Sequence, residues 1–259
     1  MISLKNKIAI VTGASRSSGI GTAICRSLAG LGADIFFTHW SAFDESEGNG
    51  GEREWPGLLA EELEALGVKA SHMEADLSEP HMHERIMDEV ELSLGSPSIL
   101  INNATYEARA NYESLNPDIL DQHYAVNNRG TILLTTEFAK RFEKNQPKGS
   151  VGRIVFMTSD GPDPNNLAYI ATKGALIGII EPLSTALAPL QITVNGLNPG
   201  PTDSGWMNEN MKGHFRTLFP MGRIGLPEDA ARAACFLASD ESQWITGQVI
   251  HSNGGYLGR

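Results

Sequence analysis

Residues 7–21, KIAIVTGASRSSGIG, decide the reading of the fold. Lys7 to Thr12 form a near-continuous apolar run, the pattern of a strand buried on both faces. Gly13, Gly19 and Gly21 punctuate the turn that follows, and Ile20, Ala23, Ile24, Leu28 and Leu31 recur at helical spacing. In a strand–turn–helix context the glycines allow a tight turn. They also let backbone N–H groups approach a pyrophosphate at the helix N-terminus. The stretch therefore predicts a dinucleotide site.

Working outward, runs at 33–38, 68–75, 98–101, 153–157, 192–197 and 248–251 predict six more strands. Helical spacing predicts helices at 58–66, 80–94, 117–144, 168–187 and 227–239. Residues 39–56 read as a polar, solvated loop, and 203–225 show no clean period. Strands alternating with helices of this length imply an α/β fold with a parallel, doubly wound sheet. No repeat, low-complexity tract or linker divides the chain, so residues 1–259 read as one domain.

Tyr169 and Lys173 stand four apart on the predicted helix 168–187, one turn above each other. An ammonium beside a phenol favours the phenolate, so the pair is expected to lower the Tyr169 pKa and suit it to proton transfer near neutral pH.

Net charge is −11, with no basic stripe, which excludes a nucleic-acid or anionic-membrane footprint. Cys25 and Cys235 fall in apolar helical patterns and read as small buried hydrophobes. His81 and His83 are two apart and share no helix face, so no metal site is expected. The N-terminus runs straight into a strand, and no run of 18 apolar residues occurs. A cytoplasmic protein is expected.

In order along the chain, the motifs resemble the short-chain dehydrogenase/reductase family in its single-domain form. Thr12-Gly13 with Gly19-Ile20-Gly21 resembles the cofactor loop, and Asp76-Leu77 the acid that contacts the adenine. Asn102-Asn103-Ala104 resembles the motif that supports the central strand. Asn127, Ser159, Tyr169 and Lys173 resemble the catalytic set, and Pro199-Gly200 the segment packing on the nicotinamide. The resemblance implies a Rossmann-type three-layer sandwich with a mostly parallel seven-stranded sheet. It also implies roles. Ser159 and Tyr169 would act on a carbonyl oxygen, Lys173 would hold the nicotinamide ribose, and Asn127 would hold a relay water. Ser15, Arg16, His39, Thr202 and Ser204 would join the cofactor contacts. Residues 203–225 would form a substrate lid carrying Trp206, Met207 and Phe215.

The chain departs from the family's pattern at four places. Five residues separate Gly13 from Gly19, two more than the common loop. Thr105 replaces a glycine after Asn102-Asn103-Ala104. Ser159 and Tyr169 are ten apart, so residues 160–167 must turn tightly. Ser204 stands where many relatives carry a threonine.

The resemblance implies interconversion of a ketone and a secondary alcohol, nearest to bacterial 3-oxoacyl-carrier-protein reductases. The acidic charge and Leu190 weaken that substrate. NADP(H) is expected over NAD(H). The end of the second strand reads Thr38-His39-Trp40-Ser41 with no acid before Asp44, and Arg16 is placed to meet a 2′-phosphate, with His39 and Ser41 in reserve. Two rival readings are a catalytically silent dinucleotide-binding module and an enoyl reductase. The intact catalytic set argues against the first, and the four-residue Tyr–Lys spacing against the second. A homotetramer is expected, with a dimer as the alternative.

Overall fold

The computed structural model describes residues 2–46 and 52–258. The strands are β1 (Ile8–Val11), β2 (Asp34–His39), β3 (Ala70–Glu74), β4 (Ile99–Asn102), β5 (Gly152–Met157), β6 (Ile192–Asn198) and β7 (Val249–His251). They form one sheet in the order β3-β2-β1-β4-β5-β6-β7, and every neighbouring pair is parallel. The chain starts at the centre, steps outward to β3, then returns to lay β4 beside β1. That reversal opens a crevice at the carboxyl ends of the strands, where open α/β sheets bind ligands.

Alternation along the central strands divides the core in two. Ala9, Val11, Ile99, Ile101 and Val155 face one cluster, while Ile10, Leu100, Ile154 and Phe156 face the other. Helix α1 (Ile20–Gly30) and α9 (Pro227–Ala238) fill the first layer, with Ile24, Cys25 and Leu28 packed among Ala230, Ala234 and Cys235. Helices α4 (Met82–Ser93), α6 (Thr131–Asn145) and α7 (Leu167–Leu187) fill the second, with Ile86, Phe138, Leu176 and Ile180. Both cysteines are buried as expected. Each fully buried Phe or Ile contributes about 1.5–3 kcal/mol relative to exposure.

Three stretches differ from their sequence reading. Residues 39–56 are not wholly loop: α2 (Ser41–Ser46) follows β2 directly, and α3 (Trp55–Ala65) begins at Trp55 with Pro56 in its first turn. Residues 47–51 of that expected loop lie outside the described residues. The expected helix 117–144 is interrupted: α5 (Pro117–His123) passes through a π-helical turn at Tyr124–Gly130 before α6. The turn holds Asn127 against the chain after β4 and brings Gly130 so close to Leu77 that an added Cβ would lie 2.2 Å from its carbonyl oxygen. Finally, 203–225 contains α8 (Glu209–Leu218), whose N-cap Asn208 accepts from the Met211 N–H at 2.9 Å.

Residues Leu167–Leu190 are long and apolar enough to cross a membrane by length and composition alone. In the fold this segment lies on the sheet through Ala168, Leu176 and Ile180, and its outer side exposes Ala171, Gly174, Ala175 and Gly178.

Candidate active site

A cavity of about 880 Å³ opens at the carboxyl ends of the strands. The turn after β1 forms its floor. Thr12 Oγ1 accepts from the N–H groups of Asn103 and Ala104, both at 3.0 Å, and Asn103 Nδ2 donates to the carbonyls of Thr12 and Gly13 at 2.9 and 2.8 Å. Gly13, at φ +77°, lies so close to Ala104 that a Cβ would meet its Cα at 2.7 Å. A Cβ on Gly21 would meet the Gly13 carbonyl oxygen at 2.3 Å. The N-terminus of α1 carries no side-chain cap at Gly19 and no acid in its first turn. Its orphan N–H groups therefore remain available to an anion. This glycine cradle fits a dinucleotide pyrophosphate, and Gly13, Ser15, Arg16, Gly19, Ile20 and Gly21 all line the cavity.

His39, Asp76, Leu77, Asn103 and Ala104 line it next, then Pro199, Gly200, Thr202 and Ser204. Asp76 Oδ1 accepts from the Ser78 N–H at 2.8 Å, which fixes that loop. His39 Nε2 lies 3.2 Å from His72 Nδ1. Burial, with His72 beside it, pushes the His39 pKa down to about 4, so at neutral pH the ring carries no charge, and its Nε2 is taken by His72 while its Nδ1 is buried.

Arg16 has partners the sequence did not suggest. Its Nε is 3.2 Å from Asp44 Oδ1, and its NH1 donates to the Ser204 carbonyl at 3.4 Å. Helix α2 thus turns Asp44 into the cavity and out of solvent, where burial raises its pKa and Arg16 opposes the rise. The extra loop residues are tied down as well. Ser17 donates twice to Glu52, and Ser18 Oγ donates to the Ser204 carbonyl at 3.1 Å. The expected solvated loop is corrected at Asp44 and Glu52: the Arg16–Asp44 ion pair and the Ser17–Glu52 bonds draw the two segments together.

The proposed catalytic set is split between the cavity wall and its support. Ser159 and Tyr169 both line the cavity, with the Ser159 hydroxyl near enough to the phenol to act on its pKa. Lys173 does not line it. Its Nζ is buried, donates to the Met157 carbonyl at 2.9 Å and lies 5.5 Å from the Tyr169 ring centre. Burial lowers the Lys173 pKa to about 8, with Glu107 opposing. The Tyr169 pKa is raised, foremost by burial and next by the negative charge of Glu107, while the Ser159 hydrogen bond opposes. The expected lowering is thus corrected: burial and Glu107 raise the phenol, while the Lys173 ammonium is spent on the Met157 carbonyl. Asn127 is also buried behind the wall. Its Oδ1 accepts from Thr105 Oγ1 at 3.1 Å and the Tyr106 N–H at 2.7 Å. Its Nδ2 donates to the Tyr106 carbonyl at 2.9 Å and Thr172 Oγ1 at 3.0 Å. With the amide fully used, the expected relay water has no place on this side chain. Thr105, in place of glycine, spends its hydroxyl on that anchor.

The short loop 160–166 docks on the segment after β4. Arg109 pairs with Asp163, Asn166 bridges to Ala110, and Asn166 Nδ2 donates to Glu107 at 2.5 Å. In the expected lid, Trp206 and Phe215 line the cavity, and Trp206 Nε1 donates to the Thr202 carbonyl at 2.8 Å. Met207 does not line it; it is buried with Phe219 and Ile224 as the lid's own core. Glu107, Met211 and Tyr256 also line the cavity and were not singled out from sequence. No periodicity marks them, and only the tertiary return of their loops brings them in.

A family model described as enoyl-(acyl carrier protein) reductase matches residues 13–257. The chain is 50% identical over 260 residues to the uncharacterized oxidoreductase YjdA of Bacillus subtilis, covering 98% of each chain. It is 33% identical to the 3-oxoacyl-[acyl-carrier-protein] reductase FabG of Aquifex aeolicus, again over 98% of each. Among solved structures it is similar to a 3-oxoacyl (acyl-carrier-protein) reductase from Agrobacterium tumefaciens with NADP bound. The TM-score is 0.83 at 29% identity, over 98% of this chain and 95% of that one.

Proposed function

The chain belongs to the short-chain dehydrogenase/reductase family, and from that premise we propose that it interconverts a ketone and a secondary alcohol with NADP(H). The observation that carries the reading is that Ser159 and Tyr169 stand together on the wall of a cavity floored by the glycine cradle. A ketone that accepts hydride develops negative charge on oxygen. Two hydroxyls aimed at that oxygen stabilise the charge, and Tyr169 delivers the proton that completes the alcohol. Lys173 supports Tyr169 from beneath, and Asn127 anchors Thr105 and Tyr106 to Thr172, so both hold the wall in place. When bound, the nicotinamide cofactor supplies or accepts the hydride. Gly13, Gly19 and Gly21 would hold its pyrophosphate, Asp76 and Leu77 its adenine, and Pro199 and Gly200 its nicotinamide.

Preference for NADP(H) is supported by Arg16 at the cavity edge and by the lack of an acid at Trp40 or Ser41. Asp44 works against it, because a carboxylate beside Arg16 repels a 2′-phosphate. With Nε on Asp44 and NH1 on the Ser204 carbonyl, Arg16 keeps further guanidinium N–H donors for a 2′-phosphate, a charge-assisted bond that we take to outweigh Asp44. An acyl-carrier-bound 3-oxo group is the narrower substrate reading, carried by the FabG likeness and opposed by the net charge of −11. The test is kcat/KM for both cofactors in the parent and in Arg16→Ala. NADPH preference that falls about ten- to hundred-fold in Arg16→Ala supports the assignment. Equal or better use of NADH by the parent contradicts it.

The exposed small residues Ala171, Gly174, Ala175 and Gly178 on α7 leave a face that a second α7 can approach closely, which supports a two-fold pairing of chains, the first step of the homotetramer we propose. Light scattering that gives a monomer at micromolar concentration rules it out.

A further inference from the structure

Glu107 stands in the cavity wall as a carboxylate that the reaction itself does not require. Asn166 Nδ2 holds it at 2.5 Å, and its charge reaches both Tyr169 and Lys173. Asn166 is 5% exposed, lines the same cavity, and its Oδ1 has no hydrogen-bond partner. The other carboxylates nearby each have a partner too: Asp163 is paired with Arg109, and Asp160 accepts from Asn198 Nδ2 at 2.8 Å. Asn166 Oδ1 is itself shielded from the cavity, so Glu107, exposed on the wall and with acceptor sites to spare, is the group that faces a substrate near the reacting hydroxyls. Gln122 lines the cavity too and adds an amide that both donates and accepts. Elsewhere the wall is aromatic: Trp206 and Phe215 pack edge to face at 6.0 Å, and Phe215 lies 6.2 Å from Tyr256.

We propose that the substrate is a neutral polyol and its hydroxyketone, with Glu107 accepting a hydrogen bond from a hydroxyl next to the reacting carbon. This rests on the carbonyl–alcohol reading above and deepens it. A hydroxyl donates and accepts, as this mixed wall requires, and buried polar groups left unpaired reject analogues that lack it. An anionic substrate would meet Glu107 and Asp160 beside it, with the Arg109 guanidinium committed to Asp163. In the oxidative direction the C–H of one secondary carbinol leaves as hydride to the oxidised nicotinamide. The O–H proton passes to the ionised Tyr169, its phenolate, and the carbon becomes a ketone. Glu107 takes no proton and positions the neighbouring hydroxyl.

The experiment compares kcat/KM for sorbitol, xylitol and ribitol with NADP⁺, and for fructose, dihydroxyacetone, cyclohexanone, acetoacetate and aminoacetone with NADPH. Calorimetry of the same polyols on the NADP⁺ complex runs alongside. Polyols and hydroxyketones should lead the panel. Glu107→Gln should weaken them by about ten- to hundred-fold, mainly in KM and in the calorimetric affinity, and should raise the rate on acetoacetate. Should Glu107→Gln fail to fold, Glu107→Asp, which keeps the charge and shortens its reach, should give the same loss in KM. A parent that favours cyclohexanone, acetoacetate or aminoacetone overturns this inference and leaves the carbonyl reading standing. A parent that turns over no member of the panel overturns both. Unchanged polyol selectivity in Glu107→Gln overturns the role of that residue.

Discussion

The ammonium of Lys173 lies 5.5 Å from the centre of the Tyr169 ring and is bonded to the Met157 carbonyl, not to the phenol. In this arrangement the phenol keeps its proton: burial and Glu107 raise its pKa. A proton donor must be protonated to work and a proton acceptor must not be. The reduction rate is therefore expected to hold steady from neutral into alkaline pH, while the oxidation rate climbs over the same range. Profiles of kcat/KM in both directions check this. An oxidation rate already at its plateau at neutral pH contradicts it.

His39 carries a second pH effect. Its pKa is pushed down to about 4 from an ordinary 6.5, so folding favours the neutral ring. Between those two values the unfolded chain binds the proton and the folded chain does not. Stability therefore falls as pH drops from 6.5 towards 4 and levels off below. Replacing His39 with Gln should flatten this part of the Tm profile. An unchanged acid limb would assign the loss to other groups, among them His72, whose pKa is also lowered by burial.

Gly130 tests the packing behind Asp76 and Leu77 in the cavity wall. A Cβ there would stand 2.2 Å from the Leu77 carbonyl oxygen, a backbone atom that cannot swing away. Gly130→Ala should cost about 1–3 kcal/mol, in the range of an overpacked core. Because Asp76 and Leu77 line the cavity, it should weaken nucleotide binding as well. Gly57, in α3 with nothing within 4 Å of an added Cβ, is the control. Gly57→Ala should stabilise by about 0.5–1 kcal/mol. Denaturant unfolding of both variants checks the pair, and equal effects would refute the close-approach argument.

Sheet, strand sequence and cavity floor were legible because they rest on local patterns. Alternating burial in β1, β4 and β5 follows from apolar runs, and the cradle from Gly13, Gly19 and Gly21. What escaped depends on chain returning from a distance. Asp44 looked solvated until α2 folded it onto Arg16, and Lys173 looked like a partner for the phenol until burial turned its ammonium to Met157. Met207 has the same composition signal as Trp206, yet the turn into α8 buries it among Phe219 and Ile224. The π-helical turn that carries Asn127 has no sequence period of its own.

The central claim is that Tyr169 gives the proton while the cradle binds the cofactor independently. Its most direct test is Tyr169→Phe, with NADPH affinity measured by fluorescence and turnover by nicotinamide absorbance with a carbonyl substrate that the parent reduces. The account predicts NADPH affinity within a few-fold of the parent and turnover lower by about 10²-fold or more. Turnover within a few-fold of the parent, with affinity intact, would contradict it.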